Sequence, residues 1–208
     1  MAAGLTAVVD YGLCNIDSIA RVLEELGATV EKTRDPHVVE RADRIVLPGV
    51  GSFGAAMRNL EEWRLAPAIK ERVVASAPFL GICLGMQLMA QRSAEHGDHE
   101  GLKLVDGSVV KLEPSSPDER IPHIGWNEVV AQDGAELFEG APQGSDFYFV
   151  HSYHLKVEDQ SCVIARTPYC GGFVSAVRIP GKPVFGTQFH PEKSQRTGHR
   201  LLKNFLAI

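Results

Sequence analysis

Along the first half of the chain, apolar positions switch between the period of a strand and the period of a helix. Residues 6–9 form a compact apolar run that ends at Asp10-Tyr11-Gly12. From 15 to 26, Ile16, Ile19, Val22, Leu23 and Leu26 fall on one helical face. Gly27 stops that helix. A second β-prone run covers 28–30, and after the turn-like Asp35-Pro36 a third covers 45–47 and closes at Pro48. Residues 65–76 read as another helix, with Pro67 tolerable in its first turn, before Phe79 and Leu80 open a buried strand. Such alternation predicts a parallel sheet covered by helices on both faces, with ligands gathering at the carboxyl ends of strands.

From Leu104 the pattern becomes a series of short β runs, at 108–112, 126–130, 146–155, 162–166, 173–177 and 184–188, separated by turn residues. Residues 198–207 close the chain as an amphipathic helix. The expected fold is therefore α/β: a mostly parallel central sheet flanked by helices, with additional antiparallel strands in the C-terminal half. One domain over residues 1–208 is the expected organisation.

Composition narrows the function. With 208 residues, 44% of them hydrophobic, the chain can bury one sizeable core. A net charge of −5 argues against a general nucleic-acid binder, so ligands should be small or proteinaceous. Cys14, Cys83, Cys162 and Cys170 show no C-x-x-C spacing, which argues against a zinc site, a redox pair or a disulfide scaffold and fits a reducing cytoplasm. No basic patch followed by an apolar core marks a leader, and no apolar run approaches the ~18 residues of a membrane span. The polar segment 92–101 carries His96 and His99, but with no acidic or thiol partner at ligand spacing it reads as a surface loop.

Chemistry concentrates at three strand ends. Residues 79–89 read as a buried strand that breaks at Cys83, between Gly81 and Gly85, into a helix. Small residues two before and two after let the chain turn sharply and push the central side chain out. Unpaired N–H groups at a helix start favour the anionic, reactive form of sulfur. Taken alone, Cys83 reads equally well as a small core residue. The loop 48–54 places Gly49, Gly51 and Gly54 after another strand. It can be spelled G-x-G-x-x-G, yet no acidic partner is convincingly placed, and backbone donors aimed at an oxyanion are the better use. The run 184–189 delivers His190-Pro191-Glu192, in which an extended backbone would put imidazole and carboxylate on one side. Together these give Cys83 as nucleophile, His190 as base and Glu192 as orienter.

These residues resemble the class I (triad) glutamine amidotransferases. The family's G-x-C-x-G-x-Q is matched by Gly81, Cys83, Gly85 and Gln87, and its H-P-E by His190, Pro191 and Glu192. The likeness extends over nearly the whole chain and is strongest to the branch that supplies ammonia in histidine biosynthesis. It is carried there by Asp10-Tyr11-Gly12 with Asn15, Pro48 to Phe53, Ile124-Gly125-Trp126-Asn127 and Tyr148 to Tyr153. The resemblance implies that L-glutamine is hydrolysed through a Cys83 thioester, with an oxyanion hole from Leu84 and the Val50 and Gly51 backbone. Gly49, Gln87, His151, Ser152 and Tyr153 would hold the substrate. Asn15, Trp126, Asn127, Tyr148 and Lys193 would serve a partner interface or gate, although aromatic core and a turn amide describe Trp126, Tyr148 and Asn127 equally well. It further implies a (β/α)8 cyclase subunit as heterodimer partner, with no cofactor, metal, nucleic acid or membrane. Cys14 departs from the pattern, standing where the family carries glycine, and a side chain there could perturb the turn. Alternative readings are a paralogous glutaminase subunit feeding another acceptor, a non-catalytic binding subunit of the same fold, and a γ-glutamyl hydrolase or peptidase.

Overall fold

The computed structural model describes residues 4–208. In chain order the first half gives β1 (Leu5–Val9), α1 (Ile16–Glu25), β2 (Thr29–Thr33), α2 (Pro36–Arg41), β3 (Arg44–Gly49), α3 (Phe53–Glu62), α4 (Leu65–Val74), β4 (Phe79–Cys83) and α5 (Leu84–Gln87). The second half gives β5 (Arg92–Ser93), β6 (His99–Glu100), β7 (Gly107–Lys111), β8 (His123–Ala131), β9 (Ser145–His151), β10 (Tyr153–Val157), β11 (Val163–Thr167), β12 (Phe173–Arg178), β13 (Val184–Thr187) and α6 (Gln195–Ala207).

Nine strands form one mixed sheet in the order β2-β1-β3-β4-β13-β12-β11-β8-β9. The first five are mutually parallel and the rest antiparallel, as the change of pattern along the chain predicts. A second sheet of four strands runs β10-β7-β5-β6. Successive residues of one strand feed opposite faces: Val8 joins Ile19, Leu23, Leu202 and Phe205 of α1 and α6, whereas Val9 joins Phe53, Leu60, Leu65 and Ile69 of α3 and α4. The second sheet closes over the α3/α4 side through Val109, Leu155 and Val157. Strand β4 is buried at every position, which its unbroken Phe-Leu-Gly-Ile-Cys run requires of a central parallel strand.

Three segments differ from expectation. Asp35-Pro36 is the start of a helix rather than a turn: the Asp35 carboxylate accepts from the His37 N–H at 2.9 Å, and Pro36 occupies the first helical position. The run 146–155 is two strands, because the chain leaves the large sheet after His151 and enters the small one at Tyr153. At the break, the Ser152 carbonyl accepts from the Leu112 N–H at 2.9 Å. Segment 92–101 supplies β5 and β6 and buries Ser93.

The close approach of α5 to β3 needs glycine at 85, since a Cβ there would overlap the Leu47 carbonyl oxygen. A Cβ at Gly81 would lie 2.7 Å from the Gly85 carbonyl oxygen. Backbone on both sides leaves no side chain to yield. Gly85→Ala is therefore expected to lower unfolding free energy by about 3 kcal/mol, read as a reduced urea midpoint. A midpoint equal to wild type would contradict this packing.

Candidate active site

Three neighbouring parallel strands bring the site together. In the pairing of β3 with β4, Gly49 lies opposite Cys83, and β13 flanks β4 on its other side, with Thr187 opposite Ile82. Cys83 sits at the turn from β4 into α5 with φ 55° and ψ −107°, a strained conformation for a residue with a side chain. Its sulfur lies 3.9 Å from the Val150 carbonyl oxygen and 3.7 Å from Gln188 Nε2.

His190 is buried, and its Nδ1 lies 2.8 Å from Glu192 Oε1. The sequence expectation of an extended H-x-E needs amending. Residues Pro191–Lys193 form a single 3-10 turn, and that turn folds the carboxylate back onto the ring. A close approach of α6 pins the turn, since a Cβ at Gly198 would overlap the Pro191 carbonyl oxygen. Burial alone would hold the imidazole low, but the Cys83 sulfur and the Glu192 carboxylate overcome it and lift His190 to about 10. With Nδ1 committed to Glu192, Nε2 is free of conventional partners and available to Cys83. This pair can trade a proton between sulfur, imidazole and a leaving group.

Cys83 opens into a pocket of about 380 Å3 lined by Val50, Gly51, Leu84, Gln87, Glu95 and His151, with Ser152 and Tyr153 completing its wall. Larger hollows of about 510 and 640 Å3 lie elsewhere, and neither includes Cys83 or His190.

A family model described as glutamine amidotransferase class-I matches residues 7–208. The chain belongs to the class-I glutamine amidotransferase family. Among its relatives, a protein of Aquifex aeolicus named imidazole glycerol phosphate synthase subunit HisH is 45% identical over 96% of this chain and 95% of its own length. Imidazole glycerol phosphate synthase subunit HisH 1 of Campylobacter jejuni is 43% identical over 98% of this chain and all of its own length. A crystal structure titled simply glutamine amidotransferase superposes with a TM-score of 0.75 at 18% identity, covering 97% of this chain and 99% of that one, a likeness of fold alone.

In this amidotransferase the backbone N–H groups expected to serve an oxyanion stand differently. Leu84 is the first residue of α5, so its N–H has no intrahelical partner. The Val50 N–H, in contrast, donates to the Leu13 carbonyl at 2.8 Å and does not point at the site. Gly51 follows it at φ 103°, a backbone conformation that favours glycine, and a Cβ at Gly49 would overlap the Tyr11 hydroxyl. Gln87 spends its amide hydrogens inside the protein, on the Tyr153 carbonyl at 2.8 Å and on Gln188 Oε1 at 3.0 Å.

Of the residues assigned to an interface or gate, Trp126 stacks edge-on against its cross-strand partner Tyr148 at 6.0 Å, and Lys193 Nζ lies 5.7 Å above the Tyr148 ring. Asn127 turns inward to His123, with Nδ2 3.1 Å from Nε2. Asn15 is exposed at the start of α1. Cys14 fits without left-handed backbone. Gly12, at φ 84°, makes the turn, and the half-buried thiol lies 3.6 Å from Asp10 Oδ1. Burial and the Asp10 charge push that thiol up to about 12.

Sequence reasoning missed Glu95 and Gln188. Glu95 comes from the presumed surface loop, yet its carboxylate reaches the pocket and accepts from the Phe53 N–H at 2.6 Å, bracing the start of α3 beside the 48–54 loop. The cue was an acidic side chain next to His96, and only tertiary folding brings it to Phe53. Gln188 directly follows β13 and lies inside the run that leads to His190, where it read as one more strand residue.

Burial holds His123 down to about 4. Burial, with the like charges of His123, His154 and His190, holds His151 down to about 3 against the pull of the Tyr153 carbonyl. Both are neutral in the fold, while an unfolded chain protonates histidine near ~6.5. Their contribution is therefore full above about pH 6.5 and drains as pH falls. His190 has the opposite sign: its contribution is full below about 6.5 and lost as pH rises through about 10, so it offsets part of the loss in acid. Unfolding free energy should accordingly fall between pH 7 and pH 5, read as a lower urea midpoint, by about 2 kcal/mol for each neutral histidine before the His190 offset. A midpoint that rises over that interval would contradict the assignment.

Proposed function

We propose that this chain is the glutaminase subunit of an imidazole glycerol phosphate synthase, which releases ammonia from L-glutamine and passes it to a (β/α)8 cyclase subunit in a heterodimer. The observation that carries the reading is Cys83 at a strained strand-to-helix turn beside the His190–Glu192 pair, in a chain that matches the HisH relatives over nearly their full length.

Cys83 sulfur attacks the side-chain amide carbon of glutamine, and the carbonyl oxygen takes up negative charge opposite the Leu84 N–H. Protonated His190 gives its Nε2 proton to the departing nitrogen, so ammonia leaves and a γ-glutamyl thioester remains. His190, now neutral, takes a proton from water, which attacks the thioester. The tetrahedral adduct collapses to glutamate and the thiolate, with the proton back on His190. Glu192 fixes the ring throughout with Nδ1–H directed at its Oε1. Glu95 presents the carboxylate that an α-ammonium group needs, while Gln87, His151, Ser152 and Tyr153 form the wall against which the amino-acid end rests.

With the Val50 N–H committed to Leu13, the resting site offers only part of an oxyanion hole. Docking of the cyclase at the Asn15, Trp126, Asn127, Tyr148 and Lys193 surface would favour the loop conformation that frees it, so turnover is conditional on the partner. The helices do not suggest a membrane location: none among the described residues is long and apolar enough to cross one.

Glutamate release should be slow for the lone chain and rise at least about 100-fold when the cyclase subunit is added. Full activity without a partner would refute conditional control. Cys83→Ala should abolish turnover and block labelling by a chloroketone analogue of glutamine while preserving the far-ultraviolet dichroism, and residual turnover would remove Cys83 from the mechanism. Glu95→Gln should raise KM for glutamine about tenfold with kcat little changed, because it weakens a charge held equally in ground and transition states. A loss confined to kcat would assign Glu95 a different role.

A further inference from the structure

Behind the pocket wall lies a run of hydrogen bonds in which every donor is forced. The Tyr153 carbonyl can only accept, so His151 Nδ1, 2.8 Å away, carries a proton. His151 is neutral, so its Nε2 must accept, and His123 Nδ1, 3.0 Å away, must donate. His123 is neutral too, which leaves its Nε2 to accept from Asn127 Nδ2 at 3.1 Å. The Asn127 oxygen accepts from the Glu128 N–H at 2.8 Å, which fixes the amide that way round.

The same Tyr153 carbonyl receives Gln87 Nε2, whose other hydrogen goes to Gln188 Oε1, and Gln188 Nε2 lies 3.7 Å from the Cys83 sulfur. Asn127 on β8 is thus joined to the sulfur environment through an unbroken polar series. His123 is the member with least freedom. Its ring is stacked on Phe149 at 4.8 Å and on Tyr169 at 4.2 Å, with the edge of Phe173 at 5.7 Å. It does not line the pocket and so touches no substrate.

We propose that His123 is a positioning residue of the glutaminase reaction: its Nδ1–H holds His151, and through His151 the Tyr153 carbonyl and the Gln87 amide, in the arrangement that receives glutamine. The inference rests on the glutaminase reading above. Burial keeps both rings neutral, and His154 and His190 add like charge against a proton on His151. Without His123, His151 Nε2 becomes a buried acceptor with no donor. The ring can then relieve this only by turning away from Tyr153 or by moving its proton.

The test uses the assembled enzyme and three chains: wild type, His123→Phe and His123→Gln. Phenylalanine keeps the stack and removes both nitrogens, whereas glutamine keeps an N–H that can reach His151. His123→Phe should raise KM for glutamine about tenfold with kcat within about threefold of wild type, and His123→Gln should recover most of that loss. Nitrogen-15 spectra of the imidazoles should find His123 and His151 of wild type both protonated at Nδ1, and His151 exchanging between tautomers in His123→Phe. A wild-type proton on Nε2 of either ring, or an unchanged KM in a folded His123→Phe, would overturn the proposal. Should that variant fail to fold, the wild-type tautomers decide alone. A wild type that hydrolyses no glutamine would count against the glutaminase reading, which the tautomer spectra do not depend on.

Discussion

The site depends on one close approach, that of α5 to the backbone of β3, which only a residue without a Cβ at position 85 permits. Because the helix can sit there, β4 can end in a turn tight enough to hold Cys83 at φ 55° and ψ −107°. Strain of that kind, of order 1–3 kcal/mol, persists only where the surroundings over-determine it. Here β4 is buried at every position and paired in parallel on both sides, so the sheet fixes the backbone on one side of the cysteine and the helix on the other. The same pairing sets Gly49 opposite Cys83 and brings the end of β13, with His190 beyond it, alongside. Cys83, His190 and the Gly49 backbone come together because three adjacent strands end at one level.

Much of this was legible in the chain. Strands β1, β3, β4 and β13 are compact apolar runs whose ends carry the chemistry, and a parallel sheet has only one edge at which those ends can gather. Cys83 between Gly81 and Gly85 and the His190–Glu192 spacing pointed to the same edge. What escaped was whatever depends on partners distant in sequence. Asp35-Pro36 reads as a turn because both residues favour turns, and only the following His37 N–H makes them a cap. Nothing local between Phe147 and Leu155 marks Ser152 as a break, and pairing with two different sheets decides it. Glu95 and Gln188 announce nothing by spacing, since their roles come from Phe53 and Cys83 on other elements.

The two cores divide the work. On one side of the large sheet α1 and α6 pack with the aromatic cluster Phe138, Phe147, Phe149, Phe173 and Phe189, and this side supports β9 and the turn that carries Glu192. On the other side α3, α4 and the small sheet support the 48–54 loop and the segment bearing Glu95. The pocket lies where these two supports meet, and its wall is the Ser152 crossing from one sheet to the other.

The hydrogen bond from Val50 to Leu13 carries a further consequence. A single backbone bond contributes a net of about 1 kcal/mol to a fold, whereas one donor at a developing oxyanion changes rate by about 100- to 1,000-fold. If the loop exchanges the Leu13 carbonyl for the oxyanion, the number of bonds stays the same while the rate changes by orders of magnitude. Idle hydrolysis is then restrained without covering the sulfur or unfolding any element. The leverage comes from which oxygen a single peptide N–H faces.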